Sequence, residues 1–144
     1  MKSDVTDMLI IGYGNTLRHD DAVGPMIVQW LRSGVSAHQL LPEHAELVSR
    51  AKRVIFIDAS ISIAPGKILF YRIREKELSN AGIGHYMSPE TILKYAKELY
   101  GRAPEKAHVI AIGAASLEVG EGLTPRVESV ARRLVKHLSY WLTR

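Results

Sequence analysis

The segment Val54-Ile55-Phe56-Ile57 is the feature that most limits what this chain can become. A run of β-branched and aromatic residues without polar alternation fits a strand buried on both faces. Such a strand needs cover on each side, which helices supply in a mostly parallel sheet. The neighbouring segments agree. Met8–Ile11 and Val109–Ile112 read as further strands, and Lys67–Ile73, after a Pro65-Gly66 turn, as an alternating one. Val35–Leu41 is too short and mixed to assign. Helical spacing puts Val23, Met26, Ile27, Trp30 and Leu31 on one face, with Gly34 as the expected stop. Pro42–Val48 opens another helix, with proline and acids in its first turn. Ser88-Pro89 and Thr124-Pro125 both read as cap-then-proline starts. Behind the first, Ile92, Leu93, Ala96, Leu99 and Tyr100 form a buried face; behind the second, Val127, Val130, Leu134, Leu138 and Trp141 form a stripe. Ser79–Met87 reads as a loop. The pattern predicts an α/β three-layer sandwich, with a twisted, mostly parallel sheet of about five strands and helices on both faces.

The 144 residues fit a single domain spanning positions 1–144. The chain has no cysteine, which excludes a disulfide framework, a cysteine-ligated zinc or iron–sulfur site and a thiol nucleophile. Its net charge of +4 is spread along the sequence, without the basic cluster and interleaved aromatics of a nucleic-acid binder. No apolar run is long enough for a membrane span, and Met8–Ile11 is too short for a signal peptide. A cytoplasmic protein is expected.

In open α/β sheets, sites form outside the carboxyl ends of the strands, near a switch point. That rule singles out the loop after the first strand and the residue ending Val54–Ile57. The loop reads Gly12-Tyr13-Gly14-Asn15-Thr16-Leu17-Arg18-His19-Asp20-Asp21-Ala22-Val23-Gly24-Pro25. Leu17 stands where a dinucleotide fingerprint needs its third glycine, and there is no Walker A motif. Two adjacent acids, Asp20 and Asp21, precede the helix. A helix cap accounts for one of them, and Asp20 is the expected cap. Asp58 ends an apolar strand, as a turn cap or as a site acid; His85 lies in a loop before a helix. Asp21, Asp58 and His85 together would make two carboxylates and an imidazole. Such a set suits a divalent ion with open positions, or a general base for water. His19, His38, His44, His108 and His137 form no metal-binding spacing, and no G-x-S-x-G elbow is present.

These residues give the chain a resemblance to the hydrogenase maturation proteases. It is carried nearly end to end by Ile11–Leu17 with Asp20, Asp21 and Gly24; by Val54–Ala59; by His85 with Ser88-Pro89; and by Gly120–Pro125. The segment His38–Glu43 is similar to one subgroup. The resemblance implies an aspartyl-type endopeptidase that removes the C-terminal extension of the nickel–iron hydrogenase large-subunit precursor after nickel insertion. Asp21, Asp58 and His85 take the roles of metal-contacting and catalytic residues. The protein would need no cofactor of its own, because the nickel is carried by the substrate. The expected partner is that precursor, with no nucleic acid and no membrane, and the expected state is a monomer. The alternatives are a hydrolase using the same three residues with its own divalent metal, and a non-catalytic nickel or assembly chaperone that keeps the docking surface without cleavage. Two departures stand out. Ala22 replaces the glycine often found after the acid pair, and it would be strained at a positive φ. The region before Val54 is also short, where members usually carry a clearer second strand.

Overall fold

The computed structural model describes residues 6–75 and 87–142. In chain order the elements are β1 (Thr6–Tyr13), a 3-10 turn (His19–Ala22), α1 (Val23–Leu31), β2 (Val35–Ala37), α2 (His44–Ser49) and β3 (Ala51–Ser60). They continue with β4 (Ile68–Ile73), α3 (Pro89–Tyr100), β5 (Lys106–Gly113) and α4 (Pro125–Leu142). One five-stranded sheet runs in the order β2-β1-β3-β5-β4. Every pairing is parallel except β4 against β5. This is the expected α/β sandwich, and the strand order reverses between β1 and β3.

Alternate residues of the same strands feed two separate cores, which is why the runs are apolar without a break. Ile11, Phe56 and Val109 face Val48 of α2 and Ile92, Leu93 and Ala96 of α3. Ile10, Ile55, Ile57 and Ile110 face Val23 and Ile27 of α1 and Val127, Val130 and Leu138 of α4. Arg132 of α4 lies 4.2 Å over the Trp30 ring of α1, tying the two helices of that layer together. Among the described residues, no helix is long and apolar enough to cross a membrane.

Several local readings are corrected. Ser88 caps α3 as expected, its hydroxyl accepting from the Thr91 N–H at 3.1 Å. However, Leu99 and Tyr100 are 60% and 45% exposed, and Trp141 of α4 is 59% exposed. The helical period gives the correct side; burial stops where the packed neighbours stop, at Ala96 and Leu138. Arg32, not Gly34, ends α1, in a left-handed conformation with φ 58°. β4 does not alternate in burial, because as an edge strand it is covered only at Ile73. The mixed segment from Val35 does hold a strand, the three-residue β2, paired among the described residues only to β1. The expected Ser79–Met87 loop falls almost wholly outside the described residues.

Candidate functional site

The reversal of strand order puts a crevice beyond the carboxyl ends of β1 and β3, the place where ligands bind in open sheets. A cleft of about 920 Å³ opens there, and both Asp21 and Asp58 line it. Its walls come from the β1–α1 loop (Asn15, Arg18), the segment after β2 (His38, Gln39, Leu40), β4 (Leu69, Tyr71) and the start of α3 (Ser88, Pro89, Glu90).

Glycines set the shape of the first wall. A side chain on Gly12 would run into the Gly24 carbonyl, so α1 can press against β1 only because position 12 has none. Gly14 has φ 152° and touches the Asp21 carbonyl oxygen, where a Cβ would collide. The loop therefore folds back on itself. The Asn15 N–H donates to Asp21 Oδ2 at 2.6 Å, and the Asp21 N–H donates to the Arg18 carbonyl at 3.0 Å. Asp21 is left half-buried, facing the cleft.

Asp58 sits on β3 in register with Ala111 of β5. Its Oδ1 accepts from the Ala59 N–H at 2.8 Å. Burial pushes its carboxyl up to about 6, and the nearby Asp21 charge adds to the rise. The Tyr13 hydroxyl and the Ala59 N–H, both donating to the carboxylate, oppose it. Tyr13 is itself pushed well above the ordinary phenol range, first by burial and then by the charge of Asp58. A carboxyl group that exchanges its proton near neutral pH is a fit acceptor for a proton from water.

Of the three residues singled out in the sequence, the structure brings Asp21 and Asp58 to one cleft, and His85 lies outside the described residues. Among the described residues no three His, Asp or Glu side chains are grouped closely enough to hold an ion. Sequence reasoning missed Tyr13, the last residue of β1, which lies between two glycines and whose hydroxyl bonds Asp58. It also set aside His38 for want of a spacing motif, and overlooked Glu90; both line the cleft.

The neighbouring Asp20 does not cap α1, whose N-terminus has no side-chain cap. Its carboxylate turns inward to residues 115–124 instead. Ala22 has φ −77°, an ordinary right-handed conformation, so alanine is unstrained there.

No protein-family model matches the chain. It is 28% identical over 140 residues to the hydrogenase 2 maturation protease of Escherichia coli (strain K12), covering 85% of this chain and 82% of that protein. The solved structure of the hydrogenase maturating endopeptidase HybD from E. coli superposes with a TM-score of 0.69 at 26% identity, covering 92% of this chain and 90% of that one. A [NiFe] hydrogenase maturation protease, HycI from Thermococcus kodakarensis KOD1, shares the fold with a TM-score of 0.74 at 23% identity, covering 96% and 94%.

Proposed function

We propose that this chain, a relative of the hydrogenase maturation proteases in sequence and in fold, is itself an endopeptidase of that kind. Its substrate is the large-subunit precursor of a nickel–iron hydrogenase, from which it removes the C-terminal extension once nickel has been inserted. It acts in the cytoplasm, as a monomer, and the nickel belongs to the substrate. The observation that carries this reading is the convergence of Asp21 and Asp58 on one cleft at the switch point of the sheet.

In this reading Asp21, Asp58 and His85 meet the precursor's nickel site and admit only a loaded substrate. Hydrolysis then adds one water across the scissile amide: hydroxide to the carbonyl carbon, a proton to the departing amine. Asp58 suits the transient holding of that proton, because burial has already raised its affinity for one. Tyr13 holds the Asp58 carboxylate in place through its hydroxyl.

The test is the intact mass of the large subunit, produced with and without nickel, before and after addition of this protein. Loss of a defined C-terminal peptide from the nickel-loaded form alone is the expected outcome. Unchanged mass with retained binding would instead mean a chaperone. Cleavage of nickel-free precursor, together with stoichiometric metal in the purified protein, would mean a hydrolase with its own ion.

A further inference from the structure

Asp20 is fully buried, yet among the described residues no lysine, arginine or histidine forms an ion pair with it. Among the described residues, the partners of its carboxylate lie about a hundred positions away. Oδ2 accepts from the backbone N–H groups of Ala115 at 2.8 Å and Ser116 at 3.1 Å. Oδ1 accepts from the Thr124 N–H at 2.7 Å. The Thr124 hydroxyl reaches both oxygens, at 3.0 and 2.8 Å.

Main-chain bonds run alongside. The Asp20 N–H donates to the Ser116 carbonyl at 3.0 Å, the His19 N–H to Gly120 at 2.9 Å, and the Gly120 N–H to Leu17 at 2.8 Å. Arg18 Nε donates to the Leu117 carbonyl at 3.0 Å. The loop is held tightly enough to keep His19 at φ 40°, a left-handed conformation that a non-glycine residue adopts only when its surroundings impose it.

An apolar residue at position 20 would fill the same space without burying a charge. It would not direct three N–H groups and a hydroxyl to one point. Successive residues of a 3-10 turn diverge by about 120°, so turning Asp20 inward sends Asp21 away from it. Asp21 is the residue that lines the cleft.

We propose that Asp20 and Thr124 are positioning residues: by tying the loop after β1 to the loop before α4, they set the direction in which the Asp21 carboxylate faces the cleft. This rests on the reading of Asp21 as a working residue of a protease.

The experiment compares full-length wild type with Thr124→Val and Thr124→Ser. Three readouts apply: the amide proton shift of Asn15, affinity for the nickel-loaded precursor, and single-turnover processing at a temperature where each variant is fully folded by circular dichroism. Thr124→Val is expected to slow processing by about 10- to 100-fold, the scale of loss from a small misplacement. Affinity for the nickel-loaded precursor should fall alongside, since Asp21 is read as one of the residues that meet the substrate's nickel. The Asn15 amide, which donates to Asp21 Oδ2, should move upfield. Thr124→Ser, which keeps the hydroxyl, should restore both rate and shift. An unmoved Asn15 amide in Thr124→Val, or wild-type processing by the folded variant, overturns the proposal. If wild type itself does not process the precursor, the protease reading fails, and the Asn15 shift still decides whether the tie sets Asp21.

Discussion

Asp20 and Asp21 are chemically identical neighbours in one 3-10 turn with opposite surroundings. Asp20 has no exposure, and its two oxygens are met by three backbone N–H groups and a hydroxyl. Among the described residues Asp21 has one N–H donor, from Asn15, and it faces a cleft it shares with Asp58. Asp58 is intermediate, with Ala59 and Tyr13 as donors and burial that still favours its protonated form. A buried carboxylate with a full set of donors is satisfied and joins distant parts of the chain. Carboxylates with few donors keep lone pairs for something else, and that is the mark of a site rather than of a scaffold.

The sharpest way to break this comparison is Asp20→Ala. It takes the acceptor from the Ala115, Ser116 and Thr124 N–H groups, which reach a fully buried side chain from one exposed and two half-buried residues, at about 1–3 kcal/mol for each group that water does not reach. A total loss of about 3–5 kcal/mol, after partial relaxation, is expected from urea unfolding. A loss below about 1 kcal/mol would put Asp20 in the same class as the cleft acids.

The second prediction separates function from stability at the cleft. Asp21→Asn and Asp58→Asn should each abolish processing of nickel-loaded precursor while the protein stays folded, because neither acid supports a core. Processing by both variants would remove the pair from the chemistry.

Asp58 also carries a sign that Asp20→Ala lacks. Its folded value is about 6 against an ordinary 3.8, so between those limits the native state binds more protons than the unfolded one. Its contribution to stability is present in full below the lower value and is lost as pH rises through the upper one. Asp58→Asn removes that loss. Thermal midpoints should therefore show the variant gaining on wild type from about pH 4 to pH 6, with the gap constant above. A variant that loses ground as pH rises would mean that Asp58 is stabilised as a carboxylate, like a structural acid.

The contrast also explains what could be read from the chain. Val54–Ile57 announced its strand because both its faces are buried, and Asp58 stood out as the polar residue ending it. The switch-point rule was enough to bring Asp21 and Asp58 to one crevice. The role of Asp20 was hidden, because three of its four donors are backbone N–H groups, which leave no mark in a sequence, and all lie beyond position 114. A cap is the local reading of an acid before a helix, and a non-local partner overrode it. Tyr13 was missed for a related reason: its bond to Asp58 depends on β1 and β3 being neighbours, with Gly12 beside Ile57. Leu99, Tyr100 and Trp141 show the complementary limit, since periodicity gives the face of a helix and not how far its neighbours extend.

The smallest expected effect concerns the residue that follows the acid pair. Were Ala22 strained at a positive φ, glycine would relieve it and stabilise the protein. With φ −77° and 3% exposure, alanine has no strain to relieve and a methyl group to lose. Ala22→Gly should then destabilise by about 1 kcal/mol, from greater chain entropy in the unfolded state and the missing buried methyl. That corresponds to a fall of about 2–5 °C in thermal midpoint for a chain of this size. Processing should persist, since Asp21 remains held by Asn15 and by the tie through Asp20. A rise in the midpoint would show that the turn is under tension where its backbone angles indicate none, and that the alanine, rather than the two acids before it, limits how this loop is set.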